Sequence, residues 1–245
     1  MDPDQYCRDV EAYLCRRNAG HLVRLVGPAF EMVVGWAGRG IPIRVVYAGV
    51  DRYFERHDAK AAASTTGGRR RPVRIEFCEA DVLDAFDAWR RAVGVGAAGA
   101  AAVPQPAPDR DEPASLRPGH SLRAHLDRVA TRLTDRLVAG GLPSGLEQQV
   151  EGLLRDLEGE RATARTARGE ARQQLMARLQ RMDEALLAAV REASEAALVT
   201  RVGEEAEREL EGFRPRMAEA DYLRARDAAV AALLRDHWRL PILAY

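Results

Sequence analysis

Cysteine is scarce, with Cys7, Cys15 and Cys78 the only three in 245 residues. An odd, thinly spread set of thiols excludes a disulfide framework. There is no C-x-x-C pair of the kind zinc sites use. Cys7 and Cys15, eight positions apart on one expected helix, would be separated by about 12 Å along its axis, too far for one tetrahedral ion that also recruits His21. Buried structural thiols are the expectation, and no metal site is assigned. Lysine is almost missing. Lys60 is the only one, and every other basic side chain is arginine, a bias that reads as codon usage.

A net charge of one sign is also lacking. Lys and Arg total 37 and Asp and Glu total 37, which excludes a generally basic nucleic-acid coat or a polybasic membrane binder. No apolar run approaches the roughly 18 residues of a membrane span. The opening Met1–Gln5 carries neither a positive region nor an apolar one, so no secretory signal is expected. Together these features predict a cytoplasmic protein without membrane contact.

Catalytic signatures are missing too. There is no G-x-S-x-G, P-loop, H-E-x-x-H or G-x-G-x-x-G. No E-x-x-H pattern suggests a di-metal helical bundle. The five histidines, His21, His57, His120, His125 and His237, are scattered. No catalytic residue and no cofactor is assigned, and the expectation is a non-enzyme.

What is present is a sharp change of composition. From Gly94 to Gly119 the chain is rich in alanine, glycine and proline, with Pro104, Pro106, Pro108, Pro113 and Pro118. It reads as a semi-rigid linker. The domains expected are 1–93, a small helical unit; 94–119, the linker; and 120–245, an all-α, coiled-coil-like unit. Residues 1–95 hold 15 basic and 13 acidic side chains, so the first unit is positive by two.

In the first unit, Asp2 is placed to cap a helix with Pro3 at its first position, and Tyr6, Val10, Tyr13 and Leu14 share a face. Further helices are expected from Pro28, with Phe30, Val33, Val34 and Trp36; from Pro42, with Val46, Val50 and Phe54; and from Glu79 or Asp81, with Val82, Phe86 and Trp89. Val73, Ile75 and Phe77 alternate with Arg74 and Glu76, which predicts a short β arm. The two tryptophans, Trp36 and Trp89, read as core rather than as stacking platforms for bases.

In the second unit, Leu122, Leu126, Val129 and Leu133 form one stripe and Leu146, Val150, Leu153 and Leu157 another, with Gly159 as a candidate break. One very long helix is expected from about 160 to 213. Its positions Leu175, Leu179, Met182, Leu186 and Val190 step by three or four, close to a heptad, and are the candidate surface for self-association or a protein partner. Pro215 forces a break. The apolar tail from Trp238 to Tyr245 is expected to fold back on the bundle.

Arg69, Arg70, Arg71 and Arg74 are the densest basic cluster. A loop and an extended arm after helices is a layout in which a wing meets phosphates, so these four are the candidate nucleic-acid-binding residues. Four arginines limit the salt slope to about −4.

Residues 28–91 also carry a family resemblance. Pro28-Ala-Phe-Glu-Met-Val-Val-Gly-Trp36, the run Gly40-Ile-Pro-Ile-Arg-Val-Val-Tyr-Ala-Gly-Val50, and the closing Val82-Leu83 with Trp89 resemble the DnaD-like helical domain of primosomal and phage replication proteins. In the family's closing Y-x-x-x-I-x-x-x-W, the positions fall here on Asp81, Ala85 and Trp89, so only the tryptophan matches. The resemblance implies DNA and helicase-loader contacts in replication initiation.

The fold expected is therefore mainly α: a small helical domain with a short β arm, a linker, and an elongated helical hairpin or bundle. Two functions follow. One is a non-enzymatic assembly or adaptor protein acting through helical contacts with itself or a partner. The other is a DNA-binding protein of replication-initiation type using the Arg69–Arg74 arm.

Overall fold

Helix α1, Pro3–Arg17, begins as the capping chemistry dictates. Asp2 has extended backbone angles, its carboxylate accepts the Asp4 N–H at 3.4 Å, and Pro3 occupies the first turn. Tyr6, Cys7, Val10 and Leu14 face inward. The helix ends at Asn18, where Ala19 and Gly20 both take positive φ, 56° and 83°. The Gly20 N–H then closes onto the Cys15 carbonyl at 3.0 Å, the left-handed stop that glycine favours.

The structure is a computed structural model describing residues 2–62, 72–95, 122–164 and 166–244. Nine α-helices and no strand occur among the described residues. None of these helices is long and apolar enough to cross a membrane. The chain divides into two units, one of residues 1–101 with 207–228, the other of 102–206 with 229–245. Residues 207–228 thus group with the N-terminal helices, whereas the sequence division placed them after the linker.

In the first unit, α2 (Pro28–Gly38) buries Ala29, Val33 and Trp36. Helix α3 (Ile43–Ala62) buries Val45, Val46, Val50 and Phe54, and α4 (Glu79–Ala92) buries Val82, Phe86 and Trp89. Helices α3 and α4 pack backbone against backbone at Gly49, where a Cβ would lie 2.5 Å from the Val82 Cα. Phe213 completes this core against Phe86 and Trp89, with ring centroids 6.4 and 5.8 Å away.

The β arm is not seen. Residues 72–74 lead in without assigned structure, and Ile75–Cys78 is a 3₁₀ turn. Its Phe77 N–H bonds the Arg74 carbonyl at 3.2 Å. The apolar pair that matters is Ile75 and Cys78, three apart and both buried, while Phe77 is 60% exposed. Three-residue spacing suits a 3₁₀ turn. No strand among the described residues is there to pair an arm, whose backbone groups would otherwise need partners.

The second unit holds α5 (Leu122–Ala139), α6 (Ser144–Ala164), α7 (Gly169–Ala193), the start of α8 (Ala196–Leu210) and the end of α9 (Glu219–Trp238). Helices α5, α6 and α7 pack in sequence, each on the next. The single long helix expected over 160–213 is instead three. Helix α6 runs straight through Gly159 to Ala164, a first break separates it from α7, and a second falls at 194–195. At the first, the Thr163 carbonyl takes the N–H of both Thr166 and Ala167. At the second, Ser194 turns extended and its hydroxyl donates to the Val190 carbonyl at 2.7 Å, the local competition by which serine ends helices.

The tail does fold back. Leu240 and Leu243 are buried. The Leu243 N–H donates to Asp183 Oδ1 at 2.8 Å, and the His125 ring lies 3.0 Å from the Leu243 carbonyl.

Candidate interaction surface

The stripe assigned to partner contact lies inside its own unit. Leu175, Leu179, Leu186 and Val190 are fully buried, and Met182 is half-buried. The neighbouring Asp183 is buried in its place, 2.6 Å from Arg235. These side chains form the core between α7 and the rest of the second unit, so a partner would reach them only by opening that unit.

The arginine arm is described only at its end. Arg69, Arg70 and Arg71 lie outside the described residues. Arg74 is exposed and pairs with Glu76 at 2.6 Å. The segment it sits on is anchored one residue earlier. The Val73 N–H donates to Asn18 Oδ1 at 2.7 Å, and Asn18 Nδ2 donates to the Val73 carbonyl at 3.0 Å.

Trp36 and Trp89 are buried at 2% and 6% exposure, inside the first unit's core. Cys7 and Cys78 are buried free thiols and Cys15 is half-buried. Burial pushes the Cys7 thiol up, with the carboxylates of Asp4 and Glu11 adding to the effect. It pushes Cys78 up to about 12, reinforced by the charge of Asp81. Thiols held protonated in this way are poor nucleophiles and poor metal ligands. No group of three or more His, Cys, Asp or Glu positioned to hold a metal occurs among the described residues.

Buried carboxylates are a feature that the sequence reading passed over. Asp81, 2% exposed, is ion-paired to Arg56 and lies 3.6 Å from Arg52. Both arginines come from α3, one turn apart, so the pair ties α3 to α4. Asp183 does the same for α7 and α9. Each carboxylate is matched by its partners, and the arrangement is a tether between helices.

The exposed apolar side chains point elsewhere. Leu22 is 77% exposed, Val26 67% and Phe30 37%, all within the connection from α1 to the first turn of α2. Between them the chain alternates. Leu25 is buried and Val23 half-buried, while Leu22, Arg24 and Val26 are exposed. The amides alternate in step. Val23 N–H donates to the Cys15 sulfur at 3.2 Å, and Leu25 N–H donates to Glu11 Oε2 at 3.2 Å. The Cys15 thiol returns a bond to the Val23 carbonyl at 3.4 Å. The N–H groups of Leu22, Arg24 and Val26 have no partner among the described residues. Two-residue alternation of both side chains and amides is the pattern an extended chain produces, although no strand is assigned at 21–26. The sequence hides this, because its apolar residues at 22, 23, 25 and 26 do not alternate; the usable signal was an apolar run held between two glycine stops, Gly20 and Gly27.

No protein-family model, curated protein or solved structure matches this chain.

Proposed function

We propose that the protein is a non-enzymatic assembly or adaptor protein, and that residues 21–30 of the first unit, rather than the C-terminal stripe, are the surface on which it docks another protein. The observation that carries the reading is the exposure of Leu22, Val26 and Phe30 within nine consecutive residues. Large exposed apolar side chains gathered in one short stretch of chain are a feature of interaction sites. Their mount is tied to α1. Glu11 and Cys15 of α1 hold the segment from below, so docking would not require the segment to be ordered first, which lowers the entropic cost of binding.

DNA binding through the Arg69–Arg74 arm, as the DnaD-like resemblance implies, is the competing proposal. The one arginine of the arm that is described, Arg74, is already engaged by Glu76, and this weighs for the docking reading.

A displayed library of random peptides tests the docking reading. Peptides retained by the full-length protein should bind the Leu22→Asp/Val26→Asp variant at least about tenfold more weakly, a difference of about 1.4 kcal/mol. The variant's helical circular dichroism and melting temperature should match the wild type, because both positions face solvent. A library that yields no peptide dependent on either position overturns the reading.

A further inference from the structure

The open edge at residues 22–26 says more about what docks there. We propose that this segment receives an extended peptide as an added β-strand, and that the peptide presents an acidic side chain to Arg24 between two apolar ones. The inference rests on the docking reading and specifies its partner.

The backbone supplies the first argument. The amides of Val23 and Leu25 are tied down to α1, which fixes the opposite row. The N–H groups of Leu22, Arg24 and Val26 are therefore directed away from α1 and have no partner among the described residues. Their spacing, every second residue, is the spacing at which a β-ladder exchanges hydrogen bonds. A helix docked on the same surface would leave these donors unmatched, because its own amides and carbonyls are already paired along its axis. An added strand satisfies them, and main-chain pairing of this kind is a general mode of peptide capture.

The side chains supply the second. Leu22, Arg24 and Val26 share the exposed face, so a paired strand sees apolar, cationic and apolar positions in turn. Arg24 has no acidic partner among the described residues. The acidic groups close by in sequence are Glu11, which already accepts the Leu25 N–H, and Glu31, exposed on the first turn of α2. A second copy of this edge is a poor occupant. Antiparallel pairing centred on Arg24 would set arginine directly opposite arginine, a destabilising cross-strand pair, and charged residues in mid-edge are a common guard against self-pairing. The charge that excludes a second copy selects a strand with an acidic residue at the same place, flanked two positions away by apolar residues.

The probe is a short synthetic peptide of alternating valine and threonine with a central glutamate on the valine face, added to the isotopically labelled full-length protein. Hydrogen exchange at the amides of Leu22, Arg24 and Val26 should slow on binding, while exchange at Val23 and Leu25 stays as it was. Replacing the central glutamate by lysine should weaken binding about tenfold, and Arg24→Glu should reverse that preference. N-methylation of the peptide should abolish binding at alternate residues and be tolerated between them. Failure of the glutamate peptide to bind, protection spread over helix amides instead of the alternate set, or indifference to the charge swap would overturn the inference. The docking reading would survive any of these if library peptides of another shape still depended on Leu22 and Val26.

Discussion

Asn18 holds Val73 by both of its backbone groups, as a neighbouring strand would. Its Oδ1 accepts the Val73 N–H at 2.7 Å and its Nδ2 donates to the Val73 carbonyl at 3.0 Å. The same Nδ2 also reaches the Leu14 carbonyl at 3.0 Å. Asn18 is 7% exposed, so water is not there to replace a lost bond. The amide thus does two jobs: it closes the C-terminus of α1 and fixes the chain that enters the Ile75–Cys78 turn.

Asn18→Ala should therefore destabilise the protein by about 2–3 kcal/mol, the cost of leaving buried backbone groups unpaired. Asn18→Asp should be no better. It preserves the acceptor for the Val73 N–H but sets a carboxylate against two carbonyl oxygens. Urea unfolding read by circular dichroism measures both. A change below 1 kcal/mol for either variant would show that the clamp contributes little.

The second unit has its own polar anchor. Asp183 accepts from Arg235 at 2.6 Å and from the Leu243 N–H at 2.8 Å, so one carboxylate joins α7, α9 and the tail. Arg235 and Asp183 expose 11% and 12% of their side chains. Removing one partner of such a pair strands the other charge, at about 3–5 kcal/mol. Asp183→Ala should accordingly be severe and should speed hydrogen exchange in α7 and in residues 239–244. The double replacement Asp183→Leu/Arg235→Leu should recover most of the loss, because the stranded charge is gone. If the double variant is as unstable as the single one, the bond to the Leu243 N–H rather than the ion pair is the important contact.

Much of this architecture was legible locally. Asp2, Pro3 and the face of Tyr6, Val10 and Leu14 specify α1 through short-range capping and periodicity, and α1 forms as they dictate. The stripe Leu175, Leu179, Leu186 and Val190 was legible as a stripe. Periodicity reports that a face is apolar, not which surface covers it, and here the chain's own second unit does. Asp183 was hidden because the near-heptad count runs through Met182, which it places on the candidate interaction stripe. The row Leu179, Asp183, Leu186, Val190 fits the spacing equally well, and a carboxylate in such a row is itself a sign of a buried partner. The break at Ser194 has a local cause in its hydroxyl and a distant one that no local pattern reports, for Trp238 Nε1 donates to that hydroxyl at 3.0 Å from 44 residues away. The edge at 22–26 was missed for a similar reason: its alternation is imposed by Cys15 and Glu11 beneath it, not by its own apolar pattern.

The thiol of Cys78 gives a prediction in the alkaline range. Burial raises it from an ordinary value of 9.0 to about 12, with the Asp81 carboxylate adding to the rise and Arg56 opposing it. The fold favours the protonated thiol, so the unfolded chain loses that proton first. Below pH 9 both states hold it and the contribution to stability is complete. As pH rises from 9 toward 12 only the unfolded state ionises, and the contribution is progressively lost. Tyr6 and Tyr13 are raised by burial as well, so the wild-type curve alone would mix several groups. The difference between wild type and Cys78→Ala isolates the thiol: the variant should lose less stability between pH 9 and 11 in urea titrations. The same burial should keep Cys78 unreactive toward iodoacetamide at pH 8 until the protein is unfolded. Prompt labelling of the native protein at Cys78, or parallel alkaline curves for the two proteins, would mean that the thiol is neither sealed nor shifted.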